Sequence, residues 1–467
     1  MAAGAKQPPA VFEPAAFARF RFLARELDAS GSVTLRYALD DLEFTERIEL
    51  PMPAAPDPPR RDSLEGLLSL LHWVAGVSYF KAALPHAISC ESGMPGPAAA
   101  ALLEALYSEG LGELAFVNRL GALPRPRFPY EPERGREHAQ SERGGEAAPP
   151  RAAQEPRRVL VPVGGGKDSV VALEAVRRSG VELALFSIGD AAPIARTAEV
   201  AALPRLIARR ELDPLLFELN AAGAINGHIP VTAIVTCVAM LTAALHGFDA
   251  VAMANERSAS AGNVQWDGIE VNHQFSKGLA AERLLSAAAA ELDSPVRQFS
   301  VLRPASELAI ARAFAGLERY HAAFTSCNAI FRLDPALRSS SWCRDCPKCR
   351  FVFLAMAPYS EPGHMREIFG GDLLEDEGQF EGFALLAASG GHKPFECVGE
   401  EQESIAAMRL LANDPRWREH AVVRRLATDV LPAHPLPEGD PEAVLALGSD
   451  HDVPARLLDG VRALLRA

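Results

Sequence analysis

Hydrophobic residues first fall into register near the N-terminus, where Val33, Leu35 and Tyr37 alternate with polar positions. Leu42, Phe44, Ile48 and Leu50 form a second apolar run after Asp40 and Asp41. A period of two puts alternate side chains on one face, so the two runs predict a β-hairpin. The spacing then lengthens to helical periodicity over 64–77 and 96–108, and residues 1–128 read as an α+β accessory domain without a catalytic motif. Trp73, Tyr79 and Phe80 in this region are expected in the core or at a domain interface, the rival reading being an aromatic ligand pocket. Periodicity then disappears. The stretch EPERGREHAQSERGGEAAPPRAAQEP is charged and rich in Pro, Ala and Gly, which predicts a disordered linker over 129–156.

From residue 157 the pattern changes to strand and helix in alternation. Strands are predicted at 159–163, 182–188, 205–209, 250–254 and 298–302, giving an α/β fold with a parallel sheet and helices on both faces. The apolar run 231–245 lies between Pro230 and Gly247. It is shorter than the roughly 18–20 residues a membrane span needs, so it reads as a buried helix. Open sheets of this kind bind ligands beyond the carboxyl ends of their strands. That rule directs attention to 164–169, 189–190, 255–260 and Arg303. The α/β unit is expected over 157–325, a cysteine-cluster segment over 326–360, and a helical C-terminal region with proline breaks over 361–467.

The first strand runs into Gly164, Gly165, Gly166, Lys167, Asp168 and Ser169. Glycines without a Cβ let successive backbone N–H groups close on an anion, and a helix opening at Ser169 aims its positive end at the same point. Asp168 is then expected to hold Mg2+. A Walker A loop requires Ser or Thr directly after Lys, where Asp168 stands, and a dinucleotide fingerprint requires a third glycine where Ser169 stands. The loop instead resembles the Ser-Gly-Gly-x-Asp-Ser motif of the ATP pyrophosphatases (PP-loop, HUP-like fold), enzymes that cleave ATP between the α and β phosphates and adenylate an acceptor. Gly164 replaces the first Ser of that motif, which removes one hydroxyl contact while leaving the backbone cradle.

Cys343, Cys346 and Cys349 form Cys-x2-Cys-x2-Cys, with Cys327 upstream. Four thiolates suit tetrahedral Zn2+, and a structural zinc site is the favoured reading, with an iron–sulfur cluster or redox thiols as alternatives. Beyond the fourth predicted strand lie Asn255, Glu256 and Arg257, followed by His273 and Lys277. Such polar residues are costly to bury without phosphate, carboxylate or metal partners. Asn255, Arg257 and Lys277 are candidates for phosphate or substrate carboxylate, and Glu256 for metal. His228 reads equally as a helix-start hydrogen-bonding group or as a site residue. Cys397, in the polar segment 391–399, reads either as a site residue or as an apolar filler.

Hydrophobic content of 48% with 23% charged residues describes a soluble globular chain, and seven cysteines, three of them clustered, suit a reducing cytoplasm. The net charge of −13 argues against a nucleic-acid partner. Residues 1–14 lack the apolar core of a signal peptide, so neither secretion nor membrane insertion is expected.

Taken together, GGGKDS, FELNAAGAINGHIPVTA, ANERSAS, EVNHQFSKG, the Cys327 region, WCRDCPKCRFVFLAMAP and GHKPFECVGE resemble the MurL family of UDP-N-acetyl-α-D-muramoyl-L-alanyl-L-glutamate epimerases. The resemblance runs from the N-terminal hairpin to about Gly399. It implies ATP- and Mg2+-dependent inversion of the terminal L-glutamate of a UDP-muramoyl dipeptide, with AMP and pyrophosphate released through an acyl-adenylate. On that basis Gly164, Gly165, Gly166, Lys167 and Ser169 are expected to contact ATP. His273, Lys277, Cys237 and Cys397 are the candidates for acid and base at the glutamate Cα. The alternative is a PP-loop nucleobase- or tRNA-modifying synthase with a structural zinc, as in QueC-like 7-cyano-7-deazaguanine synthases, against which the acidic balance counts.

Overall fold

The computed structural model describes residues 11–53, 61–132, 155–331, 338–339, 341–389, 391–436 and 440–466. Most of the predicted linker, residues 133–154, lies outside the described residues. The described residues form eleven strands: β1 Arg19–Leu27, β2 Ser32–Leu39, β3 Leu42–Glu49, β4 Ala87–Cys90, β5 Arg158–Pro162, β6 Glu182–Ile188, β7 Arg205–Glu211, β8 Ala250–Met253, β9 Val264–Trp266, β10 Ile269–Val271 and β11 Arg297–Ser300.

Nine of them form one mixed sheet in the order β11-β8-β5-β6-β7-β3-β2-β1-β4. The five strands expected after residue 157 pair in parallel as β11-β8-β5-β6-β7. The anticipated hairpin is β2 with β3. What the chain pattern did not reveal is that this hairpin continues the same sheet: β3 pairs antiparallel with β7, Ile48 opposite Arg210. The accessory segment and the α/β unit therefore share hydrogen bonds. Strands β1, β4, β9 and β10 also have no counterpart in the sequence pattern. In β1 the alternation of Phe20 and Phe22 lapses at a bulge between Phe22 and Ala24, and β4 has only four residues.

Both faces of the sheet are covered, as parallel strands require. Val159 and Val161 of β5 belong to one core, with the helices Lys167–Arg178, Glu307–Ala315 and Pro347–Met356, whereas Leu160 belongs to the other, with Val231–Leu245 and the N-terminal helices. Trp73, Tyr79 and Phe80 lie in that second core, at most 1% exposed. The C-terminal helix Ala455–Leu465 braces Lys167–Arg178 from outside. A Cβ on Gly460 would come within 2.3 Å of the Ala175 carbonyl, so only glycine permits this approach. Among the described residues, no helix is long and apolar enough to cross a membrane.

The β3–β7 seam carries a buried ion pair. Arg210 donates to both carboxylate oxygens of the fully buried Glu46, at 2.7 and 3.2 Å, and to Ser78 Oγ at 2.9 Å. Arg210→Ala leaves the Glu46 carboxylate unpaired and is expected to cost about 3–5 kcal/mol in urea denaturation. Glu46→Leu combined with Arg210→Met is expected to recover most of that loss, because no unpaired charge remains.

Candidate active site

The glycine loop leaves β5 at the carboxyl end of the sheet. Gly165 has φ +77°, and a Cβ there would lie 2.7 Å from the Pro193 carbonyl carbon, so both backbone shape and space demand glycine. Gly164 faces open space. Gly166 is the N-cap of Lys167–Arg178 and offers no side chain to it, with Ser326 Oγ lying 3.4 Å from Lys167 N. Its first N–H groups thus keep capacity for an anion. Ser169 donates its hydroxyl to the Gly166 carbonyl at 2.9 Å, and Thr325 N–H bonds the Gly165 carbonyl at 2.9 Å.

A chain of buried charges leads away from this loop. Lys167 is fully buried. Its ammonium bridges Asp168 and Glu307. Glu307, 1% exposed, accepts in turn from Lys348 at 3.5 Å, and Lys348 also donates to the backbone carbonyl of Cys397. Burial would raise the Asp168 carboxyl, but the charges of Lys167, Lys348 and Lys277 outweigh it and hold the group below the ordinary carboxylate range. Asp168 is therefore ionised at neutral pH.

At the far end is a thiol relay. Lys277 Nζ lies 3.2 Å from Cys397 Sγ, His273 Nδ1 bonds Glu113, and His273 is near enough to the sulfur to favour its ionised form. Burial alone would raise the Cys397 thiol, yet Lys277, His273 and Lys348 outweigh it and bring it down to about 6. Burial likewise lowers His273, but its bonds to Cys397 and Glu113 prevail and lift it to about 9. The pair is thus a thiolate and an imidazolium at neutral pH. The His228 ring lies tilted against His273 with centroids 4.2 Å apart, and burial together with the charges of His273 and Lys277 lowers it to about 3, leaving it neutral. Glu113, His228 and His273 bring one donor atom each within 4.8 Å of the others.

Local structure explains how these groups are held. The β9–β10 hairpin turns at Asp267 and Gly268, with φ +50° and +76°, a type I′ geometry that returns the chain toward His273. Asn263 accepts from His273 N–H at 2.9 Å and donates to the Pro394 carbonyl at 2.7 Å, tying the histidine to the segment bearing Cys397. Buried Arg303 bonds the backbone carbonyls of Glu256 and Lys277 and the Glu282 carboxylate at 2.8 Å.

The sulfurs of Cys327, Cys343, Cys346 and Cys349 all lie within 4.8 Å of one another, and Cys343 and Cys349 are 3.7 Å apart. A tetrahedral centre with metal–sulfur bonds of about 2.3 Å has edges of about 3.8 Å, so the four thiols are compatible with a structural metal, and Cys327 is the fourth member. This knot also shapes the relay: Lys348 lies between two of its cysteines, and Asn328, next to Cys327, bonds Glu396.

The sequence matches the family model for the MurL N-terminal domain over residues 11–301 and that for the MurL C-terminal domain over 323–438. The chain belongs to the MurL family. It is 45% identical to the UDP-N-acetyl-alpha-D-muramoyl-L-alanyl-L-glutamate epimerase of Salinispora tropica, covering 95% of this chain and 96% of that protein. The like-named proteins of a Micromonospora species and of Xanthomonas oryzae pv. oryzae are 47% and 41% identical, over 93% and 97% of this chain and 96% and 98% of their own lengths.

In this MurL chain three residues singled out by sequence stand apart from the roles expected of them. Cys237 is 1% exposed in the middle of Val231–Leu245, within the apolar core, where burial pushes its thiol up and no proton acceptor is needed. Lys167 is engaged by the Asp168 and Glu307 carboxyl groups. Arg257 donates to the carbonyls of Val444 and Ala446, at 3.2 and 3.0 Å, and so anchors the C-terminal segment. Asn255 and Glu256 are nearly buried beyond β8, with Asn255 bonding Ser300 Oγ at 2.9 Å. Three members of the site escaped sequence reasoning. Glu113 has no local motif, Glu307 reads only as a first-turn helix acid, and Lys348 is masked by the cysteines around it.

Two measurements check this geometry. The rate of Cys397 alkylation by iodoacetamide, followed by mass spectrometry, is expected to rise through about pH 6, below the ordinary thiol value of 9.0. Lys277→Met should move that rise upward, since an ammonium facing the thiolate is lost while His273, Lys348 and Glu396 remain. Cys349→Ser is expected to lower bound metal, measured by inductively coupled plasma mass spectrometry, and to slow Cys397 alkylation by displacing Lys348.

Proposed function

We propose that this chain catalyses the ATP-dependent inversion of the terminal L-glutamate of UDP-N-acetylmuramoyl-L-alanyl-L-glutamate, releasing AMP and pyrophosphate, to supply D-glutamate for peptidoglycan precursors in the cytoplasm. The names of the relatives support the substrate and the reaction class. Within this chain the reading rests on one observation: a helix opening from a glycine loop is joined through Lys167, Glu307 and Lys348 to an ionised thiol–imidazole pair.

The chemistry explains why both ends are needed. A free carboxylate makes the neighbouring Cα–H very weakly acidic, because deprotonation adds a second negative charge beside the first. Converting the α-carboxylate to an acyl-adenylate removes that charge and lets an enolate form. Pyridoxal chemistry is closed to this substrate, since the glutamate nitrogen is tied in an amide and makes no Schiff base.

In this reading the loop is a PP-loop in a HUP-like sheet. Backbone N–H groups of Gly164, Gly165 and Gly166 and the helix start take the phosphates, with Ser169 and Asn255 as polar contacts. Asp168, kept ionised, and Glu256 suit Mg2+, which when bound neutralises phosphate charge. Zn2+ suits the four cysteines in a structural role. Residues 157–325 supply the nucleotide unit, while residues 11–128 and 326–467 supply Glu113, Lys348 and Cys397. His273, Lys277 and Cys397 are the groups that move protons at the glutamate Cα.

Incubation with the UDP-muramoyl dipeptide, ATP and Mg2+ in D2O, followed by chiral analysis, is expected to yield D-glutamate labelled at Cα together with equimolar AMP. Labelling without ATP would discard the adenylate.

A further inference from the structure

We propose that Cys397 is the acyl acceptor of this reaction: its sulfur takes the activated glutamyl group from the adenylate as a thioester, and Glu113, His273 and Cys397 form a Cys–His–Glu relay. The inference rests on the reading above and specifies what the thiolate does within it. Glu113 bonds His273, Lys277 stands 3.2 Å from the sulfur, and His273 lies near enough to it to favour the thiolate. That is a nucleophile, a base beside it and a third group orienting the base. The residues come from three distant segments, the helix Gly112–Val117, the turn after β10 and the segment 391–399, so no local packing need accounts for their meeting.

Two chemical arguments favour acylation. A thiolate in reach of a carboxylic–phosphoric anhydride outcompetes water for its carbonyl, and the transfer runs downhill because the anhydride is the better acyl donor. The product also suits the next step: sulfur donates poorly into the carbonyl, so the α-hydrogen of a thioester is far more acidic than that of a carboxylate. The thioester additionally holds the substrate after AMP has gone.

The bonds balance without an oxidant or reductant. Cys397 Sγ forms a bond to the acyl carbon, the bond from that carbon to the AMP oxygen breaks, and AMP leaves with the electron pair. The thiolate is already ionised, so no proton moves in this step. With the thiolate charge gone, His273 passes its proton to solvent. The neutral imidazole takes the Cα proton, and Lys277 delivers one to the opposite face. Water then adds to the carbonyl and the C–S bond breaks, which regenerates the thiolate. One of the two protons released goes back to Lys277 and the other to solvent. Glu113 is a positioning residue that holds the His273 ring and favours its charged form.

The test is a rapid acid quench of the wild-type enzyme with ATP, Mg2+ and the UDP-muramoyl dipeptide, with peptide mass mapping. The expected result is an adduct on Cys397 equal to the dipeptide substrate less one water and released by hydroxylamine. Cys397→Ala should lose the adduct and lower Cα deuterium incorporation by on the order of 10^4-fold or more. Glu113→Gln should move the acid limb of the rate of adduct formation above about pH 6, because His273 is less held in the charged form that favours the thiolate, with partial return in Glu113→Asp, a shift that mere loss of folding would not produce. Substrate-dependent exchange of pyrophosphate into ATP separates the two levels. Exchange with Cα deuterium but no Cys397 adduct overturns the thioester alone, whereas no exchange in the wild type overturns the adenylate reading and the thioester with it.

Discussion

Acidic and basic side chains buried against one another are the constraint on which the rest of this structure depends. Asp168, Lys167, Glu307 and Lys348 alternate acid and base along a single line of contacts, in which the lysines hold the Asp168 carboxyl low while burial and the Asp168 charge raise that of Glu307. Removing any member leaves the next without compensation in a medium that penalises bare charge by several kcal/mol. The sheet, the cysteine knot and the C-terminal helices all serve to bring these four residues together. The helix Glu307–Ala315 presents Glu307, and its Ser306 cap and the buried Glu403 carboxylate satisfy its first N–H groups. The knot of cysteines fixes Lys348.

The outcome is a site with two chemical characters only a few contacts apart. At one end, backbone N–H groups and a carboxylate suit phosphate and its metal. At the other, a thiolate and an imidazolium lie close enough to stabilise each other's charged forms. Lys348 belongs to both, since it faces Glu307 and the Cys397 carbonyl. The electrostatics of the two ends are therefore shared.

The parts visible from sequence were those encoded locally. Strand periods of two, the buried helix Val231–Leu245 and the glycine triplet each express their structure within a short window, and the strands fell within two residues of expectation. His273, Lys277 and Cys397 were singled out because dense polar residues follow strand ends or crowd one short segment. What stayed hidden depends on long-range pairing. The seam between β3 and β7 joins residues more than a hundred positions apart. Glu113 is an ordinary helical acid until the fold presents it to His273. Lys167 misled for a related reason: a lysine beside a glycine loop reads as a phosphate ligand, but Glu307, far along the chain, draws it inward.

Because β3 completes the open edge of β7, the N-terminal segment is a structural part of the catalytic unit and not an appendage to it. A fragment beginning after the charged stretch would carry the nucleotide loop, the cysteine knot and the reactive sulfur. It would also expose a bare strand edge prone to self-association and lack the carboxylate that orients its histidine. Supplied separately, the two pieces would have to find each other through that edge, so that annealing of one pair of strands would restore sheet and active centre in a single event.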